Sequence, residues 1–316
     1  MRVAIIDIGS NSIKLLVAEG ADARPIFEAH SETRLSPNTE SARERIPDAA
    51  FAAGISAVRE LAGLARKHAP EKLAIVGTSL FRTAENACDF AEAVRRATET
   101  PMRILSGAEE ADLVAAGVAT EPAAGTPCAI FDLGGGSLEF IVKNSPRAPA
   151  LAESRPLGAV RLTRKFFKNP AAPISENELN ALRNFLRAEF VPAISAKIPA
   201  GARVVLCGGA VGICAHFVRE KISEKAPTGT PAETPAGERP SATEIPVAFF
   251  GELLEKIAAG TLAERVALGV PEKRADILPA ALVALSEICR AAGARSVLYT
   301  RRNLRYGFCA RENSQR

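Results

Sequence analysis

The chain has 316 residues, with 40 Lys and Arg against 36 Asp and Glu, which gives a formal net charge of +4. At about 150 residues per domain, this length predicts two domains. Hydrophobic residues make up 47% of the chain and charged residues 24%, a balance that argues against a mostly disordered protein. The small net charge gives no reason to expect a nucleic-acid partner. No apolar run approaches the ~18 residues of a membrane span, so no membrane partner is expected either.

Cysteine and histidine usage narrows the possible chemistry. Six cysteines are scattered without a CxxC pair, which indicates reduced core residues and a cytoplasmic location. The N-terminus reaches Asp7 after a short apolar run, which does not fit a signal peptide. The three histidines are not spaced for metal binding. We therefore expect neither a zinc site nor a histidine-based triad, and any metal must bind oxygen ligands.

Apolar periodicity and turn residues predict alternating strands and helices, which is typical of an α/β fold. The first part contains predicted strands at 3–6, 13–18 and 26–35, a helix over 48–68, a strand at 73–76, a helix to about residue 97, a strand at 102–105 and a helix over 107–119. After a turn-rich boundary at 121–127 come strands at 128–131, 138–142 and 150–154, helices near 159–167 and 176–190, a strand at 204–206 and a helix. A Pro-rich segment, 225–246, is predicted to be a mobile loop. Helices at about 247–258, 261–267 and 274–291, a strand at 296–299 and a helix near 302–310 follow.

A supersecondary unit occurs twice in this order. In each copy an apolar strand ends in a polar turn that begins with aspartate, and a second apolar strand follows. The turns are Asp7-Ile8-Gly9-Ser10-Asn11-Ser12 and Asp132-Leu133-Gly134-Gly135-Gly136-Ser137. An internal repeat of this kind indicates two similar halves.

These turns are candidate phosphate-binding loops, although each alone also fits an ordinary hairpin turn. Successive backbone N–H groups in a Gly/Ser turn bind phosphate oxygens. Because glycine tolerates positive φ, the Gly134–Gly136 run is predicted to curl around an anion. The predicted phosphate-binding residues are Gly9, Ser10, Asn11, Ser12, Gly134, Gly135, Gly136 and Ser137.

Charged residues flank both turns. Asp7 and Asp132 would repel phosphate, so each is predicted to hold a divalent cation instead. Lys14 lies two residues beyond Ser12 and is a further candidate phosphate ligand. Glu139 lies two residues beyond Ser137, on the same strand face, and is predicted to complete the metal site with Asp132.

Together with other segments, the turns resemble the exopolyphosphatase / guanosine pentaphosphate phosphatase family. The other segments are Gly77-Thr78 through Phe81-Arg82 with Asn86, Ile104-Leu105-Ser106-Gly107 with Glu109-Glu110-Ala111, Pro156-Leu157-Gly158-Ala159-Val160-Arg161-Leu162-Thr163, and Arg274-Ala275-Asp276-Ile277-Leu278-Pro279. The resemblance covers nearly the whole chain and places it in the actin, sugar-kinase and chaperone-ATPase superfamily.

The resemblance implies two ribonuclease-H-like domains with an active site in the cleft between them. The N-terminal domain would span 1–122, completed by a C-terminal helix at about 300–316, and the second domain would span 123–299. The chain resembles short members of the family that lack a long helical C-terminal extension. Dimers are common in the family, so a homodimer is expected.

Two adjacent acids follow the predicted strand at 102–105. Ser106-Gly107-Ala108-Glu109 fits a capping box, with Ser106 at the N-cap and Glu109 at N3. Glu110 is not needed for that cap, and it matches the family's catalytic glutamate. A carboxylate can orient and deprotonate the water that attacks a phosphoanhydride. Arg82 presents the planar donors that suit a phosphate, and the resemblance favours that role.

The sequence therefore predicts a phosphohydrolase dependent on Mg²⁺ or Mn²⁺. Its substrate would be inorganic polyphosphate, guanosine pentaphosphate or both. One alternative is an ATP-dependent small-molecule kinase of the same superfamily, which would need an adenosine pocket near Gly208-Gly209. Another is a sensor that binds polyphosphate or guanosine tetraphosphate without turnover.

Some segments depart from the family pattern or stay open. Arg34-Leu35-Ser36-Pro37-Asn38-Thr39 stands where the family has Arg-Leu-Gly-x-Gly-Leu, so the glycines are lost. Two basic clusters are either solvated faces or a track for a polyanion. They are Arg161, Arg164, Lys165 and Lys168, and Arg301, Arg302 and Arg305.

Overall fold

The computed structural model describes residues 1–36, 45–145, 151–223 and 240–314, which group into two compact units. The first unit takes in Met1–Pro122 and the C-terminal segment from Arg302. The second takes in the described residues from Ala123 to Ser223 and the segment Ala242–Arg301. Within these ranges, no helix has both the length and the hydropathy that a membrane crossing requires.

The elements alternate along the chain. The strands are β1 (Arg2–Ile8), β2 (Ile13–Glu19), β3 (Arg24–Ser31), β4 (Lys72–Gly77), β5 (Met102–Ile104), β6 (Cys128–Leu133), β7 (Leu138–Lys143), β8 (Leu151–Arg155), β9 (Arg203–Cys207), β10 (Ala242–Pro246) and β11 (Ser296–Thr300). The helices are α1 (Asp48–Lys67), α2 (Ala87–Thr98), α3 (Gly107–Val118), α4 (Ala159–Phe166), α5 (Glu176–Glu189), α6 (Val191–Ser195), α7 (Gly209–Ser223), α8 (Ala248–Ala258), α9 (Leu262–Ala267), α10 (Leu278–Ala291) and α11 (Leu304–Ser314).

The first unit is built on a five-stranded sheet in the order β3-β2-β1-β4-β5. The strands β1, β2 and β3 form an antiparallel meander, and β4 and β5 run parallel to β1. Alternate residues of β1 and β2, such as Ile6 and Leu15, pack with Val58 of α1 and Phe90 of α2 in one core. Because successive side chains of a strand face opposite sides, Asp7 faces away from this core.

The second unit repeats this arrangement. Its sheet has the order β10-β11-β9-β6-β7-β8. The strands β6, β7 and β8 form the antiparallel meander, β9 and β11 are parallel to β6, and β10 is an added antiparallel edge strand. Phe131 and Phe140 stack within its core, with ring centroids 4.9 Å apart. The α/β class and the internal repeat predicted from the sequence are confirmed.

Three predicted elements need correction. A helix is expected to follow Gly77-Thr78-Ser79 and to run to about Ala97, but Ser79–Arg82 forms a single 3-10 turn and α2 begins at Ala87. Residues 83–86 separate them, and the side-chain amide of Asn86 exchanges two hydrogen bonds of 3.0 Å with the backbone of Ile46.

The other two corrections lie in the second unit. Most of the predicted loop 225–246 lies outside the described residues, but Ala242–Pro246 forms strand β10. The helix expected from Arg274 begins at Leu278, where Pro279 occupies the first turn, a position that tolerates the missing N–H of proline. The short helix α6 was not predicted.

Helices α3 and α11 of the first unit approach each other so closely that glycine is required on both. A Cβ on Gly307 of α11 would lie 1.8 Å from the carbonyl oxygen of Leu113. A Cβ on Gly117 of α3 would lie 2.0 Å from the carbonyl oxygen of Asn303. Real Cβ atoms essentially never make such contacts, so any side chain here must push the helices apart.

We expect the substitution Gly307→Ala to destabilise the first unit by about 1–3 kcal/mol, the usual cost of overpacking. Gly63→Ala is the matched control, because a Cβ on Gly63 in α1 meets nothing within 4 Å. Alanine in an exposed helix is favoured over glycine by roughly 0.5–1 kcal/mol. Urea unfolding should therefore give a lower midpoint for the first variant and an equal or higher midpoint for the second. An unchanged midpoint for Gly307→Ala would contradict the close approach.

Candidate functional site

The two polar turns have the same geometry. In the first, the Gly9 N–H donates to the Ser12 carbonyl at 3.1 Å, and in the second the Gly134 N–H donates to the Ser137 carbonyl at 3.0 Å. The flanking strands continue the match, because Asp7 is in register with Lys14 and Asp132 with Glu139. Residues in register on neighbouring strands share a sheet face, so each aspartate lies beside a charged partner, as the spacing predicted for Glu139.

The first turn is lined by buried polar side chains. Ser10, Asn11 and Ser12 are all buried. The carbonyls of Ser10 and Asn11 accept backbone hydrogen bonds from Ser36 and Arg34, both at 3.1 Å. Within the described residues, the buried Nδ2 atom of Asn11 makes no hydrogen bond. Burying a donor without a partner costs about 1–3 kcal/mol, so this amide is a good candidate to bind an anion.

Asp7, at the end of β1, has a mixed environment. Burial raises the pKa of its carboxyl group, and the positive charges of Lys14 and Arg305 oppose that rise. Its Oδ1 atom is buried and accepts no hydrogen bond from the described residues. Asp7 therefore combines an oxygen available to a ligand with two nearby cations.

The second turn has two carboxylates in the equivalent place. Asp132 and Glu139 are both buried, and the Ser154 hydroxyl donates to Glu139 Oε1 at 2.9 Å. Gly208 lies beside them with φ +105°, and a Cβ there would come within 3.2 Å of Asp132 Oδ1. Carboxylate oxygens are ligands that Mg²⁺ prefers, so these residues fit the expected cation. No cluster of three or more potential metal-binding side chains occurs in the described part of the chain.

The backbone of the second turn differs from the expectation. Gly134 does not have a positive φ, and the positive-φ glycines of the described residues lie elsewhere. Close packing excludes a side chain at Gly158, next to the turn, because a Cβ there would lie 2.3 Å from the carbonyl carbon of Gly135. The first N–H groups of α4, from Ala159 and Val160, donate to the carbonyls of Gly134 and Gly135 at 2.9 Å. The turn is therefore held by α4.

Glu110 and Arg82 form an ion pair in the first unit. Arg82 Nη1 donates to Glu110 Oε2 at 2.6 Å and to the Leu105 carbonyl at 3.1 Å. Only 10% of the Glu110 side chain and 24% of the Arg82 side chain are exposed. A proton acceptor and a phosphate-type donor thus lie in direct contact.

The capping box predicted for α3 is present. The Glu109 N–H donates to the Ser106 hydroxyl at 3.2 Å, and the Ser106 N–H donates to Glu109 Oε2 at 2.8 Å. Hydrogen bonds from the Ser106 backbone and hydroxyl hold the pKa of Glu109 below its ordinary value. Glu109 also pairs with Arg103. The two adjacent acids therefore have different partners.

The edge of the first sheet brings the candidate segments of that unit together. Ile8, Gly77 and Ile104 are in register on the parallel strands β1, β4 and β5. The first turn, the segment ending at Arg82 and the start of α3 follow these three residues directly. The carboxyl ends of parallel strands are the usual ligand-binding edge of α/β sheets.

The basic clusters divide by their contacts. Arg302 donates to the Asp22 carbonyl and the Thr120 hydroxyl, and Arg305 donates to the Leu15 carbonyl. Both side chains hold α11 in the first unit. This role differs from the two that the sequence suggested for the cluster, a solvated face and a track for a polyanion. Lys165 of the other cluster lies over the Phe185 ring, 3.9 Å from its centroid.

Two further points concern residues that the sequence singled out or missed. Arg34 has φ +47°. The family glycines are lost at Ser36 and Asn38; the Ser36 N–H donates to the Ser10 carbonyl, while Asn38 lies outside the described residues, as do Pro37 and Thr39. Ser154 was missed, because a single serine on an edge strand has no motif. Only the register of β7 with β8 reveals its contact with Glu139.

Comparisons with known proteins agree with this fold. Exopolyphosphatase 1 of Mycobacterium tuberculosis is 31% identical over 206 residues, which cover 64% of this chain and 59% of that protein. Exopolyphosphatase 2 of the same species is 28% identical over 301 residues, 92% of this chain and 90% of that one. For the relatives that resemble exopolyphosphatase 1 in identity, this chain covers less than two thirds of their own length, 57% and 59% in two cases.

A solved structure shows the same fold. The crystal structure of an exopolyphosphatase from Cytophaga hutchinsonii superposes with a TM-score of 0.85 at 22% identity, over 100% of this chain and 98% of that chain. A family model described as the Ppx/GppA phosphatase family matches residues 15–315. With that match over nearly its whole length, the chain belongs to the Ppx/GppA phosphatase family.

Proposed function

We propose that this protein is a phosphoanhydride hydrolase that releases the terminal phosphate of inorganic polyphosphate. The contact between Glu110 and Arg82 carries the proposal. It joins a group that accepts protons to a group that binds phosphate, at the ligand-binding edge of the first sheet. The names of the exopolyphosphatase relatives support polyphosphate as the substrate.

In the proposed step, Glu110 orients a water molecule in line with the terminal phosphorus and accepts its proton. The water oxygen forms a bond to that phosphorus, while the bond from phosphorus to the bridging oxygen breaks. The bridging oxygen leaves with the electron pair as the new end of the chain. Arg82 donates hydrogen bonds to the phosphoryl oxygens as negative charge is redistributed over them.

Both turns are proposed to bind phosphate groups of the polyphosphate substrate. In the first unit the donors are the backbone N–H groups of residues 10–12, the buried Asn11 amide and the Lys14 ammonium. In the second unit they are the backbone N–H groups of Gly135 and Gly136 and the Ser137 hydroxyl. The N–H groups of Gly9 and Gly134 close the two turns. Turns of this kind bind phosphate through backbone N–H groups and do not depend on side-chain charge alone.

Asp132 and Glu139 are proposed to hold Mg²⁺ or Mn²⁺. When bound, the cation neutralises charge on phosphate oxygens. Asp7 was expected to be a third ligand, and its buried Oδ1 atom supports this. The cations beside Asp7 make it a weaker candidate than the Asp132 and Glu139 pair, because a like charge disfavours cation binding.

Guanosine pentaphosphate stays a proposed second substrate, since it ends in the same kind of phosphoanhydride.

The kinase alternative needs an adenosine pocket near Gly208-Gly209. A Cβ on Gly209 would lie 2.3 Å from Arg274 Nη1, so the Arg274 guanidinium covers that position. The names of the exopolyphosphatase relatives favour the hydrolase over the kinase. The burial of Glu110 and its contact with Arg82 favour a catalytic protein over a sensor. A homodimer remains an expectation from the family resemblance.

We expect the purified protein with Mg²⁺ to release orthophosphate from long-chain polyphosphate. Tripolyphosphate, guanosine pentaphosphate and ATP should be compared at equal phosphoanhydride concentration, with orthophosphate measured colorimetrically. Turnover of ATP only in the presence of a small-molecule acceptor would support the kinase. Tight polyphosphate binding with no phosphate release would support the sensor.

Metal removal is expected to abolish phosphate release. Treatment with EDTA should stop the reaction, and Mg²⁺ or Mn²⁺ should restore it, because oxygen ligands select these cations. A Zn²⁺ arm serves as the comparison, since the two proposed ligands, Asp132 and Glu139, are both carboxylates. Full activity in metal-free buffer would reject the role proposed for Asp132 and Glu139.

The substitution Glu110→Gln is expected to lower kcat by about 10²–10⁴, the usual contribution of a general base. The shape is retained and a negative charge near the phosphates is removed, so equilibrium binding of polyphosphate should persist or improve. Glu109→Gln is the matched control, because an amide at N3 still caps α3 and kcat should change little. If Glu109→Gln loses kcat and Glu110→Gln does not, the two roles are reversed. If neither loses it, the proposed mechanism is wrong.

A further inference from the structure

A row of side chains in register crosses the second sheet at the level of Asp132. Asp132 pairs with Cys207 on β9 and with Glu139 on β7, and Glu139 pairs with Ser154 on β8. In-register residues of neighbouring strands place their side chains on the same face. Ser154 therefore lies on the same face as both proposed cation ligands, one strand beyond Glu139.

We propose that Ser154 is a positioning residue that orients the Glu139 carboxylate for the divalent cation. This inference rests on the cation site of the proposed function. The Ser154 hydroxyl donates to Glu139 Oε1 at 2.9 Å, and Glu139 is only 2% exposed. A hydrogen bond to one carboxylate oxygen limits rotation of the carboxylate plane. The ligand is therefore already oriented before the cation arrives.

The first unit supplies an internal comparison. Its equivalent row consists of Asp7, Lys14 and His30 on β1, β2 and β3. Lys14 stands where the second unit has Glu139, and His30 stands where it has Ser154. The repeated strand order therefore does not by itself require a serine at this position. The hydroxyl occurs in the row that has the second carboxylate.

The same sheet offers a matched control on β10 and β11, at the edge opposite to β8. Ser296 donates to Glu244 Oε1 at 2.6 Å, which is the same serine–glutamate chemistry. That glutamate is exposed and pairs with Arg203. Removing the Ser296 hydroxyl therefore deletes an equivalent hydrogen bond without touching a proposed ligand.

The test compares Ser154→Ala, Ser154→Thr and Ser296→Ala in the full-length protein. Binding of Mn²⁺ without substrate is measured by electron paramagnetic resonance, and the Mg²⁺ activation constant is measured separately from kcat. Hydrogen bonds to metal-ligating carboxylates typically contribute 10–100-fold in metal affinity. We expect Ser154→Ala to weaken Mn²⁺ binding by about that factor and to raise the Mg²⁺ requirement. At saturating Mg²⁺, kcat should be largely retained.

The two remaining variants decide the cause. Threonine keeps the hydroxyl and is well tolerated in strands, so Ser154→Thr should bind Mn²⁺ nearly as the parent does, and Ser296→Ala should be unchanged. Wild-type Mn²⁺ affinity in Ser154→Ala would overturn the proposal. An equal loss in Ser154→Thr would also overturn it, because the hydroxyl would not be the cause.

A Glu139→Gln variant separates this proposal from the proposed function. If Glu139→Gln binds Mn²⁺ like the parent protein, the cation site itself is wrong. If Glu139→Gln loses binding while Ser154→Ala does not, only the role of Ser154 is wrong. If Ser154 acts through Glu139, adding Ser154→Ala to Glu139→Gln should cause no further loss.

Discussion

The register of two antiparallel strand pairs is the constraint on which the candidate site depends. In each unit a short turn joins the two strands, and one backbone hydrogen bond closes it, from Gly9 to Ser12 or from Gly134 to Ser137. The turn fixes which residues face each other. A slip of one residue would move every side chain to the opposite sheet face. Asp7 or Asp132 would then point into an apolar core instead of toward its charged partner.

The same backbone supports different electrostatics in the two units. Asp7 faces Lys14 and is also influenced by Arg305, so a positive charge already accompanies the carboxylate. Asp132 faces Glu139, so two carboxylates lie side by side, and the divalent cation that we propose there would be their counter-charge. The two repeated units thus differ at this position, where Lys14 in the first corresponds to Glu139 in the second.

Helix α3 separates two neighbouring glutamates by rotation. Consecutive residues of an α-helix are about 100° apart at 3.6 residues per turn. Glu109 consequently points back to cap the helix, while Glu110 points inward to Arg82. The contact of Gly117 with α11 fixes α3 in the first unit. A packing requirement at one end of the helix therefore supports a chemical group at the other.

The sequence by itself determined the α/β class, the repeated turns and the cap of α3, because each is a local pattern of apolar spacing, turn residues or capping residues. Only the tertiary structure decided that Arg82 binds Glu110 and that Ser154 binds Glu139, because these partners come from separate elements. It also decided the burial of Arg265, which is 0% exposed and donates to the carbonyls of four residues: Pro170, Ala172, Ile257 and Ala275. A charged side chain normally predicts a surface position. Distant carbonyls that converge on one guanidinium after folding cannot be read from local sequence.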